Sequence, residues 1–367
     1  MVFQVLAINP GSTSTKVAWF HDDEEQWRET VRHDPDELAH FEAIADQFEF
    51  RLATIERAAF SHGSSFDKLS AVVGRGGLVD PIPGGTFAVD DTLLKRLRVG
   101  KPWEHASNLG GIIADAIARP RHIPAFIVDP VAVDEMNDIA RITGFPELPK
   151  VSLAHALNIK ATVRRAAKDL GREWNKLNVV VAHIGGGSTV CAHCQGRMVD
   201  LNSGNDFGPF SPERAGGLPA GDLARLCFSG KYSEKDLLRR LVGNGGMKAY
   251  LGTSDVREVK KRIESGDEEA KLVYEAMAYH FSKEIAAQAI AMSGDVDAIL
   301  ITGGVAYDSD FVALLQTRIQ WIAPVLVYPG EDEMKALAEG ALRVLRGEEQ
   351  AQNYEQRVAG GGGRHDA

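Results

Sequence analysis

The chain has 367 residues, 44% of them hydrophobic, enough to build two cores rather than one. A net charge of -10 and a pI near 5.6 exclude a broad nucleic-acid or anionic-membrane face, since either needs a basic surface, but allow an anionic substrate met by a few clustered arginines. No apolar run reaches the length of a membrane span, and the first residues read as a strand with no basic-then-apolar leader, so a cytoplasmic protein is expected.

In chain order, Val2 to Ile8 and Thr15 to Phe20 predict a hairpin, with a further strand around Glu29 to His33 after the Asp22-Asp23-Glu24-Glu25 turn. Apolar spacing predicts a helix over Asp36 to Ala59. Ala71 to Gly74 is a short strand running into Arg75-Gly76-Gly77. Helices are expected at Asp90 to Arg98 and His105 to Ala118, and a strand at Ala125 to Val128 ends on Asp129-Pro130. This alternation marks an α/β unit spanning 1–150, to be completed by a late helix over 333–346.

A second unit, 151–332, is expected to start after the Pro146-Glu-Leu-Pro149 break with a helix from His155 to Leu170. Strands at Val179 to His183, Thr189 to Ala192 and Met198 to Asn202 repeat the opening arrangement. Helices over Glu268 to Met292 and Tyr307 to Ile322 then flank the strand Ala298 to Thr302 and its Gly303-Gly304 turn. The stretch 351–367 reads as a disordered tail. Three cysteines, Cys191, Cys194 and Cys227, are too few and too oddly spaced for a disulfide framework, and Cys191-Ala-His-Cys194 has no second pair with which to hold a metal. The acidic group Asp134, Glu135 and Asp138 reads as solvated.

The duplicated strand-turn-strand segments carry the chemistry. In Asn9-Pro-Gly-Ser-Thr-Ser-Thr-Lys16, Gly11 permits a tight turn, Ser12 and Thr13 supply hydroxyls, Lys16 adds charge and Asn9 can orient a phosphoryl oxygen. The second loop is Gly185-Gly186-Gly187-Ser188, and His183 with Gly185, Gly186 and Gly187 are its candidate nucleotide-binding residues. Neither is a G-x-x-x-x-G-K-[ST] loop, and a strand rather than a helix follows Gly187, which excludes a dinucleotide fingerprint. Paired loops of this kind suggest a nucleotide held in a cleft between two lobes. The pattern resembles the sugar kinase, actin and heat-shock ATPase superfamily, and so implies two duplicated ribonuclease H-like lobes.

Within that superfamily the chain resembles the acetate/butyrate kinase family on its butyrate kinase branch. The resemblance runs through Ile8 to Lys16, Val73-Gly-Arg-Gly-Gly-Leu78, Val128-Asp-Pro-Val131, His155-Ala-Leu-Asn158, Ala182 to Gly187, Gly208-Pro-Phe-Ser-Pro-Glu-Arg214 and Tyr328-Pro-Gly-Glu-Asp-Glu333. The run Phe210 to Pro219 favours the butyrate branch. The implied reaction is reversible transfer of the ATP γ-phosphoryl group to a short-chain carboxylate, with ATP/ADP and Mg²⁺ as cofactors. Arg75 and Arg214 match the two active-site arginines, and His155 the histidine that donates to the transferring group. Asp129 matches an acid near metal and phosphate, and Glu331 or its neighbour Glu333 a carboxylate that holds Mg²⁺ through water. Gly303-Gly304 resembles an adenosine-side turn, and His105 lies where the family has another cleft histidine.

The resemblance also implies a homodimer or a higher homo-oligomer. Ala154 stands where a bulky aromatic is expected, and Asn202 to Gly208 is about one residue short. Both departures leave acyl-chain preference open toward branched or longer acids. An acetate or propionate kinase is the near variant. A heat-shock-like conformational ATPase is disfavoured, because the chain after Arg346 reads as too short for a peptide-binding domain and two arginines would have no carboxylate to hold. A sugar or polyol kinase would want a carboxylate base beside a hydroxyl.

Overall fold

The computed structural model describes residues 2–100, 105–203, 205 and 207–360. Its opening strand β1 (Gln4–Pro10) is apolar on both faces and buried almost throughout, as a strand must be when it is central in a sheet covered on both sides. It pairs antiparallel with β2 (Ser14–His21), which pairs antiparallel with β3 (Glu24–Arg32). Strand β3 alternates exposed and half-buried residues as a sheet edge does. On the other side of β1 lie β4 (Ala71–Arg75) and β6 (Ala125–Val128), both parallel, and β5 (Thr86–Ala88) closes the sheet antiparallel to β6. The order is β3-β2-β1-β4-β6-β5.

A second sheet contains β7 (Asn178–Ile184), β8 (Ser188–Cys194), β9 (Arg197–Leu201), β10 (Ala298–Gly303) and β11 (Val325–Pro329), in the order β11-β10-β7-β8-β9. Read from the hairpin side, β9-β8-β7-β10-β11 repeats β3-β2-β1-β4-β6 strand for strand. The two antiparallel pairings are followed by two parallel ones in each case. The chain divides into two compact units, Met1–Asp134 with Asp332–Ala367, and Glu135–Glu331. Residues 135–150 thus group with the second unit.

Each unit has its own core. In the first, Leu6, Ile8, Val72 and Ile127 pack against the helices Asp91–Val99 and Asn108–Ala118 through Leu93, Leu97 and Ile113. Asp90 caps the former helix by accepting from the Leu93 N–H at 2.8 Å. In the second, Met277, Phe281 and Ile285 of the helix Glu268–Ile290 cover β7 and β8. Asp267 accepts from the Ala270 N–H at 2.9 Å to start that helix.

The structure revises several expectations. The helix expected over Asp36 to Ala59 is a short turn Pro35–Leu38, a 3₁₀ segment Ile44–Gln47 and a helix Phe48–Ser61. The break comes where the Asp46 carboxylate takes the Ala43 backbone N–H, which restarts the winding. The stretch 351–367 is not disordered over its described part: Gln352 bridges to Phe87, and a helix covers Tyr354–Gly360. Tyr354 is buried and donates to Asp80 at 2.5 Å, so a side chain fixed in the core holds the segment. Glu135 is not solvated. It accepts from the buried Lys160 ammonium at 3.1 and 2.9 Å and from the Met198 N–H at 2.8 Å.

His193 on β8 is fully buried, and neither ring nitrogen has a hydrogen-bond partner. Burial first, then the charges of Lys160 and Arg164, hold its pKa down at about 3. His33 is pushed down to about 4 by burial and then by Arg51. Both imidazoles are held neutral by the fold and titrate at an ordinary value when unfolded, so from about pH 6.5 downward the unfolded chain binds more protons and stability is lost as the pH drops. Melting temperature measured from pH 7 to 4 is expected to fall in the parent chain, and to fall less steeply in His193→Leu. An unchanged slope in the variant contradicts the assignment.

Candidate active site

In the first unit, β1, β4 and β6 run parallel and end on the same edge of the sheet, which puts Asn9, Arg75 and Asp129 at neighbouring strand ends. Ligands of open α/β sheets bind beyond such carboxyl ends. One carboxylate organises the group. Glu333, nine-tenths buried at the start of the helix Glu333–Leu345, accepts from the Asn9 amide at 2.6 Å and from the Arg75 guanidinium. The Lys16 ammonium, half exposed, stands 3.9 Å from the same carboxylate. Asp129 is buried with a left-handed backbone (φ 38°), and its carboxylate accepts from the Gly85 N–H at 2.7 Å. His105 precedes its helix and contacts the Ser107 hydroxyl at 2.6 Å. Its ring keeps exposed surface, yet the protein around it and then the Arg75 charge lower its pKa. Gly11, Ser12 and Thr13 form the β1–β2 turn, closed by the Gly11 N–H donating to the Ser14 carbonyl at 2.8 Å.

In the second unit, His155 and His183 stack face to face, with centroids 4.0 Å apart and planes 10° from parallel. The Thr189 hydroxyl accepts from the His155 backbone N–H at 3.4 Å and lies 2.9 Å from Nδ1. The buried His183 receives the Asn158 amide at Nδ1, 2.8 Å away, so its own proton sits on Nε2, 3.3 Å from Glu331. Asn158 donates also to Thr302, which donates to the Gly330 carbonyl. His183 therefore backs His155 from within the fold, and Ala154 beside it is buried as well.

The loop Gly185 to Gly187 carries the Arg214 segment on its surface. Ser211 donates to the Gly186 carbonyl at 2.6 Å, and the Arg214 guanidinium fills the place where a side chain on Gly187 would stand. Beside it opens a cavity of about 640 Å³ whose lining includes Gly185, Gly186, Lys260, Gly304, Tyr307 and Asp308. Gly303 enters the turn at φ 91°, with the Ile184 backbone where its Cβ would be. Sequence reasoning missed Ser211, Lys260, Asp308 and Tyr274. Lys260 pairs with Asp308 at 2.8 Å and Asp310 at 2.7 Å, which raises its pKa to about 12, and Tyr274 donates to Asp308 at 2.7 Å. The Ser-Pro-Glu-Arg run pointed toward Ser211; nothing local marked the other three. Gly204 and Asp206 of the short Asn202 to Gly208 stretch lie outside the described residues.

Among the described residues no group of three or more His, Cys, Asp or Glu side chains could hold a metal unaided. Asp129 and Glu333 in the first unit, and Glu331 in the second, are oxygen donors of the kind hard cations take.

With this geometry in place, the family is decided by comparison. The chain is 53% identical to a probable butyrate kinase of Coprothermobacter proteolyticus and 50% identical to butyrate kinase 2 of Clostridium acetobutylicum, each match spanning 96% of this chain and 100% of the relative. The chain belongs to the acetokinase family, on its butyrate kinase branch. The model of the acetokinase family matches residues 154–322, which include His155, the glycine loop and Arg214. The crystal structure of Porphyromonas gingivalis acetate kinase aligns over 94% of this chain and 100% of its own, with a TM-score of 0.78 at 20% identity, which shows the shared fold. As a butyrate-branch acetokinase, the chain is an ATP-using phosphotransferase with a carboxyl group as acceptor.

The two glycines provide opposite tests. An added methyl at Gly187 meets only the end of a flexible arginine, whereas at Gly303 it meets backbone in a left-handed conformation. Gly187→Ala is expected to melt within a few degrees of the parent but to lose at least about tenfold in kcat, because Arg214 is displaced. Gly303→Ala is expected to lose about 1–3 kcal/mol or more of stability. Full activity in Gly187→Ala, measured with stability by calorimetry, contradicts the placement of Arg214.

Proposed function

We propose that this acetokinase transfers the γ-phosphoryl group of ATP to the carboxylate of butyrate or a branched or related short-chain acid, and forms ATP from the acyl phosphate in reverse. The observation that carries the reading is the match of about half of all residues, end to end, with butyrate kinases, joined to two guanidinium groups at loop edges.

A carboxylate is already ionised at neutral pH and needs no base; the obstacle is the approach of one anion to another. One carboxylate oxygen attacks the γ-phosphorus, the bond from that phosphorus to the β–γ bridging oxygen breaks, and ADP leaves with the electron pair. Arg75 and Arg214 hold the acid and the equatorial phosphoryl oxygens, since guanidinium forks match both geometries. His155 donates to the transferring group. Asn9, Lys16 and the turn Gly11 to Thr13 serve phosphate from the first unit, and Gly185 to Gly187 with Gly303-Gly304 serve the nucleotide from the second. His105 contacts the acid side. Mg²⁺, its waters held by Asp129 and by Glu331 or Glu333, would neutralise charge on the nucleotide phosphates.

Among the described residues no helix is long and apolar enough to cross a membrane, and a cytoplasmic setting suits a nucleotide-using enzyme. A homo-oligomer is supported by the helices Ala220–Cys227 and Glu234–Leu241, which bury none of their own residues, with Leu218, Phe228 and Leu238 exposed nearby. A monomer mass at micromolar concentration by light scattering would overturn it.

Purified protein with ATP, Mg²⁺ and a panel of two- to five-carbon acids is expected to yield acyl phosphate, trapped as hydroxamate, with acetate poorest. Steps of about 1–3 kcal/mol per methylene make the preference graded. Arg75→Ala and Arg214→Ala are each expected to lose about 10²–10³ in kcat while folded, with lysine restoring only part. Ala154→Phe is expected to move the panel toward shorter acids. No product from any acid removes the reading, and near-parental turnover in either arginine variant removes its assignment.

A further inference from the structure

Arg51 on the helix Phe48–Ser61 is fully buried. Its Nε and Nη2 donate to the Gln47 side chain at 3.0 and 2.8 Å. Its Nη1 donates to the Ser14 carbonyl at 3.1 Å and the Thr15 hydroxyl at 3.0 Å, and Nη2 also reaches the Ser12 carbonyl at 3.4 Å. All of these acceptors are neutral. None of the salt bridges among the described residues involves Arg51, and burial lowers its pKa to about 10, still charged at neutral pH.

The turn is held from this side by its carbonyls. Ser12 and Ser14 are taken by Arg51, and the Thr13 carbonyl accepts from the His33 N–H at 3.0 Å. Because a trans peptide points its N–H opposite its C=O, the Thr13 amide is turned away from Arg51, toward the side on which Ser12 and Thr13 are exposed. The Thr15 hydroxyl, accepting from Arg51, also lies 2.8 Å from His33 Nε2, and burial and then the Arg51 charge hold the pKa of that imidazole down at about 4, so it brings no charge of its own at neutral pH. An anchor for two carbonyls needs donors; it does not need a net charge, and an unpaired buried charge is costly.

We propose that Arg51 is a positioning residue for phosphate binding: it fixes the Gly11–Thr15 turn from beneath, and its unpaired charge is offset when the anionic phosphate of the substrate occupies the outer side of that turn. The proposal rests on the reading of this turn as a phosphate loop. It makes Arg51 a second tier of charge behind Lys16, one that never touches the ligand and so attracts any phosphate-bearing substrate without discriminating among acids.

The test compares Arg51→Met, Arg51→Gln and Arg51→Lys in the full-length protein, assayed in both directions with butyrate and with butyryl phosphate, alongside thermal shift by butyryl phosphate. In Arg51→Met and Arg51→Gln, KM for the acyl phosphate is expected to rise at least about tenfold and the thermal shift to shrink, while KM for butyrate stays within about threefold. Arg51→Lys, which restores charge but not the fork, is expected to recover much of the KM for acyl phosphate and less of kcat. A purely structural role moves both KM values together and leaves lysine no better than glutamine. That outcome, or a phosphate affinity within twofold of the parent in a folded neutral variant, overturns the proposal. If Met and Gln variants fail to fold, Arg51→Lys decides alone: a KM for acyl phosphate within about threefold of the parent, with the loss falling on kcat, supports the proposal, and a larger rise in that KM or equal changes in both KM values overturns it. A parent chain that makes no acyl phosphate would instead remove the functional reading itself.

Discussion

The carboxylate of Glu333 is the constraint on which the first unit's site depends. Asn9, Lys16 and Arg75 come from three different strands and would bring two positive charges close together with nothing between them. A single acid, delivered by the helix Glu333–Leu345 after the chain has completed the other unit, takes the Asn9 amide and the Arg75 guanidinium and lies near Lys16. Charge-assisted bonds of this kind are about twice as strong as neutral ones. Removing one member of such a buried pair typically costs about 3–5 kcal/mol, because the partner is left unpaired. The arginine is thereby held at the end of β4, in reach of a competing anion.

The second unit meets the same need with aromatic rings. Glu331, two residues earlier, faces His183, whose other nitrogen is fixed by Asn158, and the His183 ring forms the platform on which His155 lies. Thr189 holds the His155 ring and backbone from β8. Thus the segment Glu331 to Glu333, at which the chain passes from one unit to the other, supplies the orienting carboxylate for each half. The duplicated sheets place equivalent loops, and divergence has filled them differently. Hydroxyls over a buried arginine mark the first loop; three glycines under Arg214 mark the second.

Much of this was legible in the chain because hairpins and glycine turns are local. Buried strands such as Val179 to Ile184 announce themselves by unbroken apolar runs, and the repeated strand-turn-strand pattern implied two related units. What escaped depends on contacts distant in sequence. Arg51 in an amphipathic helix reads as a solvent-facing residue, and only the fold shows that it points into the β1–β2 turn. Glu135 and Lys160 look like ordinary surface charges until β9 closes over them. Lys260, Tyr274 and Asp308 come from three elements that no periodicity links. The tail was misread because a polar, glycine-rich composition hides one tyrosine anchored to Asp80.

The central claim, that one buried carboxylate holds the phosphoryl-handling groups of the first unit in working order, is tested most directly by the kinetics of Glu333→Gln. The amide keeps the shape and can still accept from Arg75, but the charge that gathers Arg75 and Lys16 is gone. The account expects a folded protein whose kcat falls by at least about a hundredfold at saturating Mg²⁺, with ATP affinity by calorimetry within a few-fold of the parent because the Gly185 to Gly187 loop and its cavity are untouched. A kcat near that of the parent at saturating Mg²⁺ would contradict it.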